Sequence, residues 1–264
     1  MAYKFIACDF DDTLVSKDKR ISQRTKDAVA SCAAYGARFV LSTGRTLKSI
    51  LPYYRELELT TPLITCGGAE VYDKDLNLIY NAPLPADTTH KLLNFAKHLG
   101  KHSHIYIGDD FCYARENDDA RHYAEHTKLR GYVLEDIYER TDLVTPKFLV
   151  VSSEEEVARV TSLFSEAFPE LNVVRSLGRF LEIAVPKANK GDAVLYTAEY
   201  MGYTPDEIIA IGDSEIDISM LNIAALSFCP EGGMPRAKAA ADIICKDCSQ
   251  DCVAEILEEY IFHV

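Results

Sequence analysis

Apolar residues along this chain come in short, nearly continuous runs, separated by longer stretches in which they recur every three or four positions. Continuous runs fit strands buried on both faces, and the periodic stretches fit helices packed on one side. Tyr3–Cys8, Arg38–Leu41 and Pro62–Thr65 are runs of the first kind. Ser22–Tyr35 and Thr46–Leu59 read as helices, the former with Ser22 as an N-cap and Gly36 as a stop. Two short apolar segments, Glu70–Tyr72 and Leu78–Tyr80, flank the turn Asp73–Asn77 and predict a hairpin.

From Pro85 the pattern changes. Helices are predicted at Ala86–Leu99, Asp118–Leu129 and Glu154–Phe168. Strands are predicted at Ser103–Ile107, Phe111–Arg115, Lys147–Val151, Val173–Ser176 and Phe180–Val185. Strands in adjacent pairs predict an antiparallel sheet, with the helices on one face. The alternation then returns: helix Lys190–Met201, strand Ile208–Ile211, helix Glu215–Ala224, strands Leu226–Cys229 and Asp242–Cys245, helix Asp251–Phe262. The fold class that follows is α/β, a Rossmann-like parallel-sheet core at residues 1–84 and 185–264, interrupted by an α+β cap domain at 85–184.

Composition narrows the function. A chain of 264 residues, 48% hydrophobic, is long enough for a core domain and an insert. Its formal net charge of -13 disfavours nucleic acid and anionic membrane, because no basic patch offsets phosphate repulsion. No stretch approaches the roughly 18 apolar residues of a spanning helix. The opening MAYKFIACDFDD puts carboxylates where a signal peptide needs an apolar run, so a cytoplasmic protein is expected. Eight cysteines, several inside apolar runs, are expected as reduced thiols.

Three apolar strands end in chemically active residues: Asp9-Phe10-Asp11-Asp12-Thr13, Ser42-Thr43-Gly44-Arg45, and Gly212-Asp213-Ser214-Glu215-Ile216-Asp217. In open α/β sheets ligands bind outside the carboxyl ends of the strands, where these three would meet. Helix capping accounts for one such end but poorly for three. Asp9, Asp11, Asp213 and Asp217 gathered there would repel one another without a cation, and hard carboxylate oxygens suit Mg²⁺. An ionised Asp9 is then a competent nucleophile toward a phosphoryl group. Asp11, two residues on, is placed to protonate the leaving alcohol and later to activate water. Thr43, the Gly44 backbone and Lys190 can hold phosphate oxygens.

These residues resemble the haloacid dehalogenase-like (HAD) superfamily, and within it the Cof-like phosphatases with a type IIB cap. Asp9-Phe10-Asp11-Asp12-Thr13-Leu14 looks like its first motif, Thr43-Gly44-Arg45 the second, Lys190-Gly191 the third, and Gly212-Asp213 with Asp217 the fourth. All four occur in the family's order, with the insert between the second and third. The resemblance implies Asp9 as nucleophile and metal ligand, and Asp11 as acid/base that also reaches the metal through its backbone carbonyl. It implies Asp213 as a ligand, Asp217 as a more distant or water-mediated partner, and a cap that closes over the site and selects the leaving group. It points to a small phosphorylated metabolite as partner, typically a sugar phosphate. Gly67, Ile216 and Glu231 depart from the family, which usually has amide-bearing residues at or near these positions.

A phosphosugar mutase of the same fold is the first alternative, and a weakened phosphometabolite-binding protein the second. The intact Asp9/Asp11 pair argues against the latter. Cys245, Cys248 and Cys252 have some of the spacing of a thiolate metal site but no clear fourth ligand nearby. His102 and His104 share one face of a predicted strand, as substrate or metal contacts or as ordinary strand positions.

Overall fold

The computed structural model describes residues 3–108 and 110–263. The chain opens with β1 (Phe5–Cys8), α1 (Gln23–Ser31), β2 (Arg38–Leu41), α2 (Leu47–Glu56), β3 (Leu63–Thr65), β4 (Glu70–Tyr72) and β5 (Leu78–Asn81). Next come α3 (Ala86–His98), β6 (His102–Ile107), β7 (Asp110–Tyr113), α4 (Asp118–Thr127), β8 (Gly131–Val133), β9 (Phe148–Val151), α5 (Val157–Ala167), β10 (Asn172–Leu177) and β11 (Phe180–Ala184). It closes with α6 (Lys190–Tyr200), β12 (Ile208–Ile211), α7 (Ile218–Ile223), β13 (Leu226–Pro230), α8 (Pro235–Ala240), β14 (Ile243–Cys245) and α9 (Cys252–Leu257), which runs on as a π-turn, Glu258–Phe262.

These elements form two compact units. One holds the chain up to Gly44, Pro52–Tyr80 and everything from Asn189 onward; the other holds Arg45–Leu51 with Asn81–Ala188. In the first, five parallel strands lie in the order β14-β13-β12-β1-β2, with β3-β4-β5 as a separate three-stranded sheet. The apolar runs explain the parallel sheet: β1 and β12 are buried at every position, as strands covered on both faces must be. Phe5, Ala7, Ile208 and Ala210 share one core with Val194, Ala198, Met220 and Leu221 of α6 and α7. Ser22 caps α1 by accepting from the Thr25 amide, and Gly36 ends the following turn at φ 77°, where a side chain would be strained.

The second unit carries a six-stranded sheet in the order β10-β11-β9-β6-β7-β8. It departs from the sequence expectation in two linked ways. The sheet is not wholly antiparallel, because β7 and β8 pair in parallel. Nor do the helices keep to one face. Ile105, Cys112, Phe148, Val150, Leu181 and Ile183 pack against α3 and α5, whereas Tyr106, Phe111, Leu149, Val151 and Phe180 pack with Ala120 and Tyr123 of α4. The cause is shared. Two parallel strands cannot be joined by a tight turn, so a crossover is needed, and α4 supplies it on the face opposite α3 and α5.

That placement settles His102 and His104. His104 is wholly buried, its ring centroid 4.3 Å from that of Tyr123 and 4.8 Å from that of Phe111. Its Nε2 lies 3.3 Å from the Tyr106 hydroxyl, which hydrogen-bonds that of Tyr123. Burial pushes the His102 imidazole down to about 4 and that of His104 well below its ordinary range. His104 is a core side chain and His102 a half-buried one, both neutral near pH 7. Arg179 is part-exposed and pairs with Asp119 of the same unit at 2.7 Å. Among the described residues, no helix is long and apolar enough to cross a membrane.

Candidate active site

β1 lies between β12 and β2, with Cys8 in register with Ile211 on one side and Leu41 on the other. Asp9 therefore leaves the sheet beside Gly212-Asp213 and Ser42-Thr43. The joins are direct: the Asp9 amide donates to the Ile211 carbonyl at 2.9 Å, and the Ser42 amide to the Cys8 carbonyl at 2.9 Å. Parallel strands hydrogen-bonded in this register put all their carboxyl ends at one edge.

The centre of the edge is a buried charge cluster. Lys190, the first residue of α6, has no exposed surface; its Nζ lies 2.5 Å from Asp9 Oδ1 and 2.5 Å from Asp217 Oδ1. The ammonium arrives there through a close backbone approach. Gly68 sits at φ 95°, and a Cβ on it would lie 2.2 Å from the Asn189 carbonyl oxygen, so only glycine lets the β3 loop and the start of α6 meet. Asp217 is held by more than lysine. Its Oδ2 accepts from the Asp213 amide at 3.1 Å, the Ser214 amide at 2.9 Å and the Ser214 hydroxyl at 2.8 Å. A carboxylate has about four lone-pair sites, so Asp217 is largely committed to fixing its neighbours. Gly212 makes room for it, since a Cβ there would meet Asp217 Cβ at 2.5 Å.

Asp213 is oriented from two sides. The Thr13 hydroxyl donates to its Oδ1 at 3.1 Å, and its own carbonyl accepts from the Met234 amide at 2.7 Å. Among the described residues, Asp9, Asp213 and Asp217 are the one group of potential metal ligands whose oxygens all lie within 4.8 Å of one another. Cys245, Cys248 and Cys252 do not form such a group; the Cys252 thiol instead donates to the Thr13 carbonyl at 3.8 Å.

Electrostatics gives the arrangement its meaning. Burial pushes the Asp9 carboxyl up to about 7; Lys190 opposes that rise, while Asp217 and Asp11 add to it. Burial likewise holds Asp213 well above the usual carboxylate range, reinforced by Asp9 and Asp217. For Lys190 burial alone would lower the ammonium, but Asp217 and Asp9 outweigh it and hold it above its ordinary value. The ammonium contacts two of the three carboxylates; with all three ionised, two negative charges remain that a divalent cation would match. Three hard oxygen donors in reach of one another suit Mg²⁺.

The remaining residues lie around this cluster. Thr43 follows β2, its amide donating to the Ile64 carbonyl and its carbonyl accepting from Gly67, each at 3.0 Å. Thr43 is buried, and Gly44 continues the loop. Asp11 stands at the rim, partly exposed, and Lys19 donates to its Oδ1 at 2.6 Å. The structure thus brings Asp9, Asp213, Asp217 and Lys190 into one contact network and sets Thr43, Gly44 and Asp11 on adjoining loops. The sequence did not mark Thr13 as an anchor of Asp213, nor Ser214 as an anchor of Asp217. The spacing Ser214-x-x-Asp217 is a capping-box pattern and could have revealed the second.

A family model described as haloacid dehalogenase-like hydrolase matches residues 6–257. A Haemophilus influenzae protein named as a phosphatase is 30% identical over 262 residues, covering 98% of each chain. A Bacillus subtilis 5-amino-6-(5-phospho-D-ribitylamino)uracil phosphatase is 28% identical over 260 residues, covering 97% of this chain and 96% of its own. The solved structure of a haloacid dehalogenase-like hydrolase from Bacteroides thetaiotaomicron superposes with a TM-score of 0.84 at 27% identity, covering 97% of this chain and 99% of that one.

Proposed function

The chain belongs to the haloacid dehalogenase-like hydrolases and is a phosphatase of the Cof-like kind, and from that premise we propose a Mg²⁺-dependent enzyme that hydrolyses small phosphomonoesters through an aspartyl-phosphate on Asp9. The observation that carries this reading is the buried contact of Asp9 with Lys190, beside Asp213 and Asp217. Asp9 and Asp213 are the side chains that would hold the ion, with the Asp11 backbone carbonyl, while Asp217 fixes the Asp213 loop and Lys190. When bound, Mg²⁺ would neutralise phosphate oxygens and keep Asp9 ionised.

The chain's own residues supply the rest. Lys190, Thr43 and the Gly44 amide hold the phosphoryl oxygens. An Asp9 oxygen bonds to phosphorus as the bond to the leaving oxygen breaks, and Asp11 gives that oxygen its proton. Asp11, now ionised, takes a proton from water as the water attacks phosphorus, releasing phosphate and restoring Asp9.

The substrate class is a small phosphorylated metabolite such as a sugar phosphate. The Bacillus subtilis relative, named for a 5-phospho-D-ribitylamino compound, supports that reading. All eight cysteines are free, which fits the reducing cytoplasm. The test is phosphate release across a panel of phosphometabolites, with Mg²⁺ and with chelator. Turnover that chelator abolishes and Asp9→Asn removes is expected; activity that survives either would contradict the reading. Return of the phosphoryl group to a second position on the substrate would favour a mutase.

A further inference from the structure

The loop after the first strand carries a feature that the four motifs do not include. Lys19 adopts φ 56°, the left-handed region, without being glycine. A side-chain-bearing residue is strained there, and the conformation persists only where surrounding contacts impose it. Here they do. The Lys19 amide donates to the Ser16 carbonyl at 2.9 Å, closing a turn, and Asp18 Oδ1 accepts from the Ser16 hydroxyl at 2.9 Å and the Arg20 amide at 3.2 Å. The turn aims the Lys19 ammonium back at the first loop, where it meets Asp11 Oδ1 at 2.6 Å with both side chains largely shielded.

We propose that Lys19 is a positioning residue for the acid/base carboxyl: by fixing Asp11 Oδ1 it turns Oδ2 toward the leaving oxygen. The proposal rests on the role given to Asp11 above. With Oδ1 engaged by an ammonium, the proton that passes to the leaving group travels on Oδ2. As the oxygen–phosphorus bond to the leaving group breaks, that proton moves to the departing oxygen and the carboxylate left behind is already paired. A charge-assisted hydrogen bond of this length is strong and directional. Misplacing a general acid by an ångström forfeits much of the 10²–10⁴-fold that proton transfer contributes.

A structural role and a positioning role predict different dependence on the leaving group. Aryl phosphates with electron-poor rings expel their phenolate without a proton, whereas poor leaving groups need one. The experiment measures kcat/KM for a series of substituted phenyl phosphates in the Mg²⁺-loaded enzyme, for wild type, Lys19→Met, Lys19→Arg and Asp11→Asn. Lys19→Asn is added because asparagine tolerates the left-handed backbone. Lys19→Met and Lys19→Asn are expected to lose about tenfold or more on the poorest leaving groups and far less on the best, steepening the plot in the direction of Asp11→Asn. Lys19→Arg should return the slope most of the way to wild type. A steep Asp11→Asn plot beside wild-type slopes in Lys19→Met and Lys19→Asn, or a loss in them equal for every leaving group, would overturn the role of Lys19 alone. A flat Asp11→Asn plot would overturn it together with the acid/base assignment.

Discussion

Lys190 Nζ and Asp217 Oδ1 lie 2.5 Å apart, and neither side chain has any exposed surface. The same ammonium also meets Asp9, so one cation holds the proposed nucleophile and the carboxylate that organises the Asp213 loop. Removing one partner of such a pair leaves charge buried without compensation, which costs about 3–5 kcal/mol. Lys190→Met should destabilise the chelated protein by that order at pH 8, measured by urea unfolding. Adding Asp217→Asn should recover part of the loss, because one unmatched charge goes. A loss below about 1 kcal/mol would mean that the cluster is solvated.

The raised carboxyls make metal affinity depend on pH. Without a cation, burial keeps a proton on Asp9 up to about pH 7 and favours one on Asp213 as well. A metal must displace it, so Mg²⁺ affinity should fall as pH drops below about 7, by about tenfold per unit for each proton released. Calorimetric titration at pH 6 in buffers of different ionisation enthalpy should show proton release, reduced in Asp9→Asn. Constant affinity between pH 5.5 and 7.5 would contradict the burial argument.

The imidazoles under α4 titrate in the opposite sense. Burial holds His102 and His104 below their unfolded value of about 6.5, so the folded protein keeps them neutral where the unfolded chain binds protons. Their stabilising contribution is complete above that pH. It is lost as pH falls from about 6.5 toward about 4, the value to which His102 is lowered, at up to about 1.4 kcal/mol per pH unit for each ring. His104→Gln should flatten the fall in melting temperature between pH 7 and 5. An unchanged slope would remove His104 from the account.

Much of this fold could be read from one sequence because strands covered on both faces leave continuous apolar runs. Phe5–Cys8, Arg38–Leu41 and Ile208–Ile211 lie within or coincide with those runs, and their polar sequels marked the site. What escaped has physical causes. β8 is three residues long and begins at Gly131, where a Cβ would collide with Phe111 and Tyr113, so its apolar signal is weak. α8 spans six residues behind two glycines, too short to show a period. The face taken by α4 depends on β8 pairing in parallel, which no local pattern encodes. In the site, residue types with unusual chemistry were visible, but the hydrogen bonds that aim them were not. Thr13 reaches Asp213 across 200 positions, and Lys19 reaches Asp11 only through a left-handed turn.

The proposed mechanism requires that Asp9 become phosphorylated during turnover. The direct measurement is rapid mixing of the Mg²⁺-loaded enzyme with a ³²P-labelled aryl phosphate whose leaving group needs no proton. Acid quenching and peptide mapping then follow. A hydroxylamine-sensitive phosphoryl group on the peptide containing Asp9, formed before steady-state phosphate release and absent from Asp9→Asn, is the predicted result. Phosphate released with no protein-bound label at any time, or label on another residue, would contradict it.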